Sequence, residues 1–69
     1  MDSLYVNIRK RRKELGMSQV ELAMRCGYKD HTTINKIEAG TVDISVGRLK
    51  QIAKILDISV VKLMGLEDE

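Results

Sequence analysis

Between His31 and Ala39 the chain places Thr32, Asn35 and Lys36 at spacings that suit hydrogen bonding to a partner rather than the making of bonds. Ile34 and Ile37 lie three apart, and at about 100° per residue a helix sets them about 60° from each other, so they share one apolar face. On the same wheel Thr32 and Ala39 lie nearly opposite the isoleucines, with Asn35 and Lys36 on either side and His31 at the margin. A helix held down by two isoleucines while offering short polar groups and one cation suits a groove lined with hydrogen-bonding edges. Catalytic chemistry is poorly supplied. Cys26 and His31 are two possible ligands separated by a turn, which does not make a metal site, and no Cys/His cluster has zinc spacing. Asp30 is committed to capping a helix and no serine lies in a nucleophile motif, so the chain is read as no enzyme, with no metal and no cofactor.

The elements that must position this face are legible from their ends. The stretch Ser18 to Gly40, SQVELAMRCGYKDHTTINKIEAG, reads as two short helices joined by a tight turn. Ser18 followed three residues later by Glu21 forms a capping box, and Met17 with Leu22 forms the matching hydrophobic staple. Gln19 is then the first helical residue, where unpaired backbone N–H groups project and attract phosphate. Leu22 and Ala23 face inward with Cys26 near them, and Gly27 ends that helix. Tyr28, Lys29 and Asp30 make the turn, with Asp30 as N-cap from His31 onward, and the polar-faced helix closes at Gly40.

A preceding helix starts after Asp2 or Ser3 and stops at Gly16, with Leu4, Ile8 and Leu15 marking its inner stripe and the stem of Arg11 or Arg12 filling the middle. The run Arg9, Lys10, Arg11, Arg12, Lys13 points all round that helix, so only some of these cations can face one partner. After the connector Thr41 to Ile44, Ser45 caps a helix whose stripe is Val46, Leu49, Ile52, Ala53, Ile55 and Leu56, with Gly47 a weak point near its start. Asp57 stands where a glycine is expected, and Ser59 caps a last short helix from Val60 to Met64. Ile58, Val60, Val61, Leu63, Met64 and Leu66 cannot all face the core of so small a bundle, so part of this apolar set is left for a partner. The acidic tail Glu67, Asp68 and Glu69 is expected to fray.

Length and composition bound the rest. The 69 residues make one domain, 1–69, with no proline, tryptophan or phenylalanine, so the core is built from Leu, Ile, Val, Met and Ala in a helical composition. Formal net charge is only +2, but residues 1 to 40 hold eight Lys/Arg against five Asp/Glu while residues 41 to 69 hold four against five, so the polar-faced helix lies in the basic part. The lone Cys26 cannot pair within the chain, no apolar run approaches the roughly 20 residues of a membrane span, and no secretory signal pattern is present. The expectation is a reducing, cytoplasmic location and no membrane.

The segments IRKRRKELGMSQVELAMRCG, TTINKIEAG and LKQIAKILDISVVKLMG together resemble the phage repressor and Cro type of helix-turn-helix domain, found also in controller proteins and antitoxins. The resemblance covers Val6 to Gly65, with the turn from Gly27 to Asp30 one residue longer than the commonest spacing. It implies an all-α, lambda-repressor-like bundle of five helices with its helix-turn-helix core at 18–40, dimeric on operator DNA. It also implies that Gln19 touches the DNA backbone and supports base readout, and that His31, Thr32, Asn35 and Lys36 occupy base-facing positions. Thr33 falls near phosphate or the turn, Lys29 and Thr41 flank the reading helix as further DNA-binding residues, and Arg12 and Glu38 match a pair that bridges the first helix to the end of the third. The chain fits either a complete small regulator or the DNA-binding part of a longer repressor.

The reading that follows is a sequence-specific regulator of double-stranded DNA, a repressor binding an inverted repeat as a homodimer through Ile58, Val60, Val61 and Met64. The alternatives are an antitoxin-type interaction module and a basic helical RNA binder. An RNA-backbone binder should concentrate arginine on the third helix and an interaction module should show apolar anchors there. Neither pattern is present.

Overall fold

The computed structural model describes residues 3–66, and within them the chain forms α1 (Ser3–Glu14), α2 (Gln19–Arg25), α3 (Thr32–Glu38), α4 (Val46–Ile55) and α5 (Val60–Leu63), with no strand among the described residues. The expected cap at Asp2 and the acidic tail Glu67 to Glu69 lie outside the described residues. α1 packs on α3 and α5, α2 packs on α3, and α4 packs on α5. No helix among the described residues is long and apolar enough to cross a membrane.

One device ends all five helices. The residue two past each C-terminus, Gly16, Gly27, Gly40, Asp57 and Gly65, has positive φ. Its own N–H and that of its successor close on carbonyls of the last turn, as in Gly16 to Lys13 at 3.0 Å and Met17 to Arg12 at 3.0 Å, or Asp57 to Lys54 at 3.1 Å and Ile58 to Ala53 at 3.1 Å. These are Schellman motifs, which satisfy carbonyls that the helix leaves unpaired. At Gly40 the requirement for glycine is one of backbone conformation, because its φ is +75°, whereas an added Cβ would make only ordinary contact with the Tyr5 ring at 3.5 Å. Serines start three helices: Ser18, Ser45 and Ser59 each accept from the backbone N–H three residues on.

The core joins Ile8, Met17, Leu22, Ala23, Cys26, Ile34, Ile37, Leu49, Ile52, Ala53, Leu56 and Leu63, all buried. It includes all seven residues that periodicity marks most strongly in helices one to four, Ile8, Leu22, Ile34, Ile37, Leu49, Ile52 and Leu56. Two stripe positions depart from expectation. Leu15 is 42% exposed because it lies past the last helical residue, where the chain reverses at Gly16 and Met17 takes the inner place. Val46 is 68% exposed because it opens α4 and helical side chains lean toward the N-terminus, which carries it past the packed part of the helix. Ile44 in the connector packs against the core instead. The capping box is closed only from the Ser18 side, since the Glu21 carboxylate pairs with Arg25 at 3.0 Å.

Long side chains from α1 and α4 lock the helix ends together. Arg11 donates through Nε to the Leu56 carbonyl at 2.9 Å and through Nη2 to that of Asp57 at 3.2 Å, setting a cation at the C-terminus of α4. Asn7 donates to the Leu63 carbonyl at 2.9 Å, and Arg48 to the Cys26 carbonyl at 2.8 Å. Of the five consecutive cations, Arg11 is thus spent on structure and Arg12 is buried, while Arg9, Lys10 and Lys13 stay exposed.

Candidate nucleic-acid interface

α3 is pinned by Ile34 and Ile37, which are 0% and 1% exposed, so its other side is forced outward. Thr32, Asn35, Lys36 and Ala39 are exposed, and the side chains of Asn35 and Lys36 make no hydrogen bond among the described residues. Their donors and acceptors are free for a partner. His31 and Lys29 are exposed in the turn ahead of the helix. His31 has helical backbone angles and its carbonyl accepts from the Asn35 N–H at 2.9 Å, although the regular helix begins at Thr32. The N-cap position falls on His31, one residue later than expected and with no side-chain cap bond, while Asp30 accepts from the N–H of Thr32, the first helical residue, at 2.9 Å; this backbone donor, joined by the Thr32 hydroxyl, holds its carboxyl below the usual range.

Thr33 is half-buried on the flank of α3, beside Tyr28, Ile37, Ile44 and Arg48. Arg48 lies 4.5 Å over the Tyr28 ring, so the turn between the two helices is held from α4. Thr41 follows α3, and its hydroxyl donates to the Lys36 carbonyl at 3.1 Å, so its proton closes the helix and only its oxygen lone pairs face solvent.

Behind the open face, three helices meet in one polar link. Arg12 of α1 donates through Nε to Glu38 Oε2 at 2.6 Å and through Nη2 to Oε1 at 3.1 Å, a two-point pair whose side chains are 8% and 3% exposed. Its Nη1 donates to the Met17 carbonyl at 2.8 Å. Gln19, the first residue of α2 and half-buried, donates through Nε2 to Glu38 Oε1 at 3.1 Å. No buried side-chain nitrogen or oxygen among the described residues lacks a partner.

Gln19, Glu38, Asn35 and Ala39 line a cleft of about 230 Å³ together with Arg9. Arg9 is exposed and makes no ion pair among the described residues, so a free cation stands at the rim of the α3 face. Sequence reasoning did not separate it from its neighbours, because within five successive cations no local pattern tells which one flanks a helix that folds in from 20 residues away or more. Cys26 is buried in the core, where burial pushes its thiol up. No group of three or more His, Cys, Asp or Glu lies together among the described residues.

The family model described as Helix-turn-helix matches residues 8–63. Among solved structures, the chain is similar to the crystal structure of a hypothetical transcription factor, NHTF, from Neisseria, with 30% sequence identity, a TM-score of 0.83, and coverage of 91% of this chain and 71% of that one. No curated protein matched. A match over most of the length, on a pinned helix with an open polar face, shows that the chain belongs to the Cro and phage-repressor type of helix-turn-helix family, whose members are non-catalytic DNA-binding transcription regulators.

Proposed function

We propose that this chain is a repressor that binds an inverted-repeat operator in double-stranded DNA as a homodimer, laying α3 in the major groove and blocking polymerase at an overlapping promoter. The observation that carries the proposal is the exposed, unspent pair Asn35 and Lys36 on a helix whose opposite side is fully buried. Asn35 offers the amide fork that fits adenine, Lys36 donates to guanine, and Thr32 presents a methyl and hydroxyl that suit thymine, with His31 at the edge of the same surface. Gln19, Lys29, Thr33, Thr41 and, in addition, Arg9 take the flanking positions from which phosphates are held. Arg12 and Glu38 form the structural pair beneath.

Dimerisation is assigned to the C-terminal section. Val61 and Met64 are exposed at 50% and 37%, beside half-buried Ile58 and Val60, whereas Leu63 is fully buried and drops out of the surplus. The absence of an apolar anchor on the open face of α3 favours DNA over a masked toxin as the ligand of that face. Selection from random duplexes tests the proposal: the expected product is an inverted repeat with half-site centres about one helical turn, roughly 34 Å, apart. A pool with no repeat, or enrichment of single-stranded RNA over duplex DNA in parallel selections, would overturn it.

A further inference from the structure

We infer that Glu38 is a positioning residue for base reading: anchored by Arg12, it holds Gln19 by the amide nitrogen and turns the Gln19 carbonyl oxygen away from itself, as an oriented acceptor for an exocyclic amino group on a base edge, adenine N6 or cytosine N4. The inference rests on the DNA-reading proposal above and deepens it.

An ionised carboxylate only accepts hydrogen bonds, so the side chain of Gln19 can meet Glu38 only through its NH₂ end, and the 3.1 Å contact is Nε2 to Oε1. That choice orients an amide that would otherwise present either end. Two further contacts from Arg12, at 2.6 and 3.1 Å, prevent the carboxylate from turning. They also neutralise it, which matters because an unpaired carboxylate at this surface would repel a polyanion. Gln19 lines the same cleft as Asn35, so its side chain borders the surface that Asn35 opens toward the groove. Phosphate oxygens accept hydrogen bonds and do not donate them. The second amide proton of Gln19 remains for the backbone contact that the family resemblance implies, while its oxygen, which no phosphate can use, is suited to a base amino group.

The test uses Arg12→Met/Glu38→Met, which removes both charges together and leaves no buried ion unpaired. Wild type is expected to select adenine or cytosine over guanine or thymine at one position per half-site, by roughly 2- to 13-fold, as one hydrogen bond allows. Gln19→Ala should abolish that preference. The Met/Met protein should lose it too while keeping the positions read by Asn35 and Lys36, and adding Gln19→Ala to it should change nothing further. Equal, additive effects of Gln19→Ala in both backgrounds would overturn the inference, as would a Gln19→Ala protein with every preference intact while Asn35→Ala loses one. A wild type that selects no duplex overturns the DNA-reading proposal itself, and this inference with it. Should the Met/Met protein not fold, nuclear magnetic resonance of wild type on the selected duplex decides. A slowly exchanging, hydrogen-bonded Gln19 side-chain amide is expected, and one that exchanges like a free glutamine amide would overturn the assignment.

Discussion

Arg12 and Glu38 show how a pair of residues can be invisible locally and central spatially. They are 26 residues apart, yet they meet with side chains only 8% and 3% exposed. Taking two charges out of water is repaid by a two-point contact and by the extra partners Met17 and Gln19, and removing one charge strands the other. Arg12→Met alone or Glu38→Met alone should therefore cost about 3–5 kcal/mol in urea denaturation, while the double replacement costs much less. Single losses below about 1 kcal/mol would mark the pair as solvated. The exposure of Asn35 and Lys36 was legible in the sequence because Ile34 and Ile37 set the phase of their helix. The Arg12–Glu38 pair was legible only through the family resemblance, and the Gln19 link not at all, since it depends on how three helices converge.

At the scale of the elements, the chain advertises its helix ends. Serine before and glycine after mark boundaries because each supplies a hydrogen-bonding or conformational need that few residues meet. What the wheel could not place were terminal positions such as Leu15 and Val46, where the helix stops being the frame of reference. Asp57 is the exception that tests the rule. It holds φ 54° at the C-terminal end of α4, where its charge also opposes the helix dipole. Asp57→Gly should stabilise the fold by about 1 kcal/mol, since left-handed backbone costs an L-residue roughly 1–2 kcal/mol and glycine returns part of that gain through unfolded-chain entropy. Thermal unfolding checks this. A lower melting temperature would mean that the Asp57 side chain contributes something its backbone geometry hides.

The molecule as a whole separates two surfaces, the polar face around α3 and the apolar residues of α5. The second is the surface on which the dimer proposal rests, with Val61 half exposed beside Met64. Val61→Asp should leave the fold intact and yield a monomer by sedimentation with weakened operator binding. Unchanged self-association would move the interface elsewhere. The first surface carries the central claim, that α3 reads base edges. Titration of Asn35→Ala against the selected operator and against a non-specific duplex of equal length tests it most directly. A loss of about 1–3 kcal/mol on the operator and none on the non-specific duplex is predicted; equal loss on both, or none on either, would contradict it.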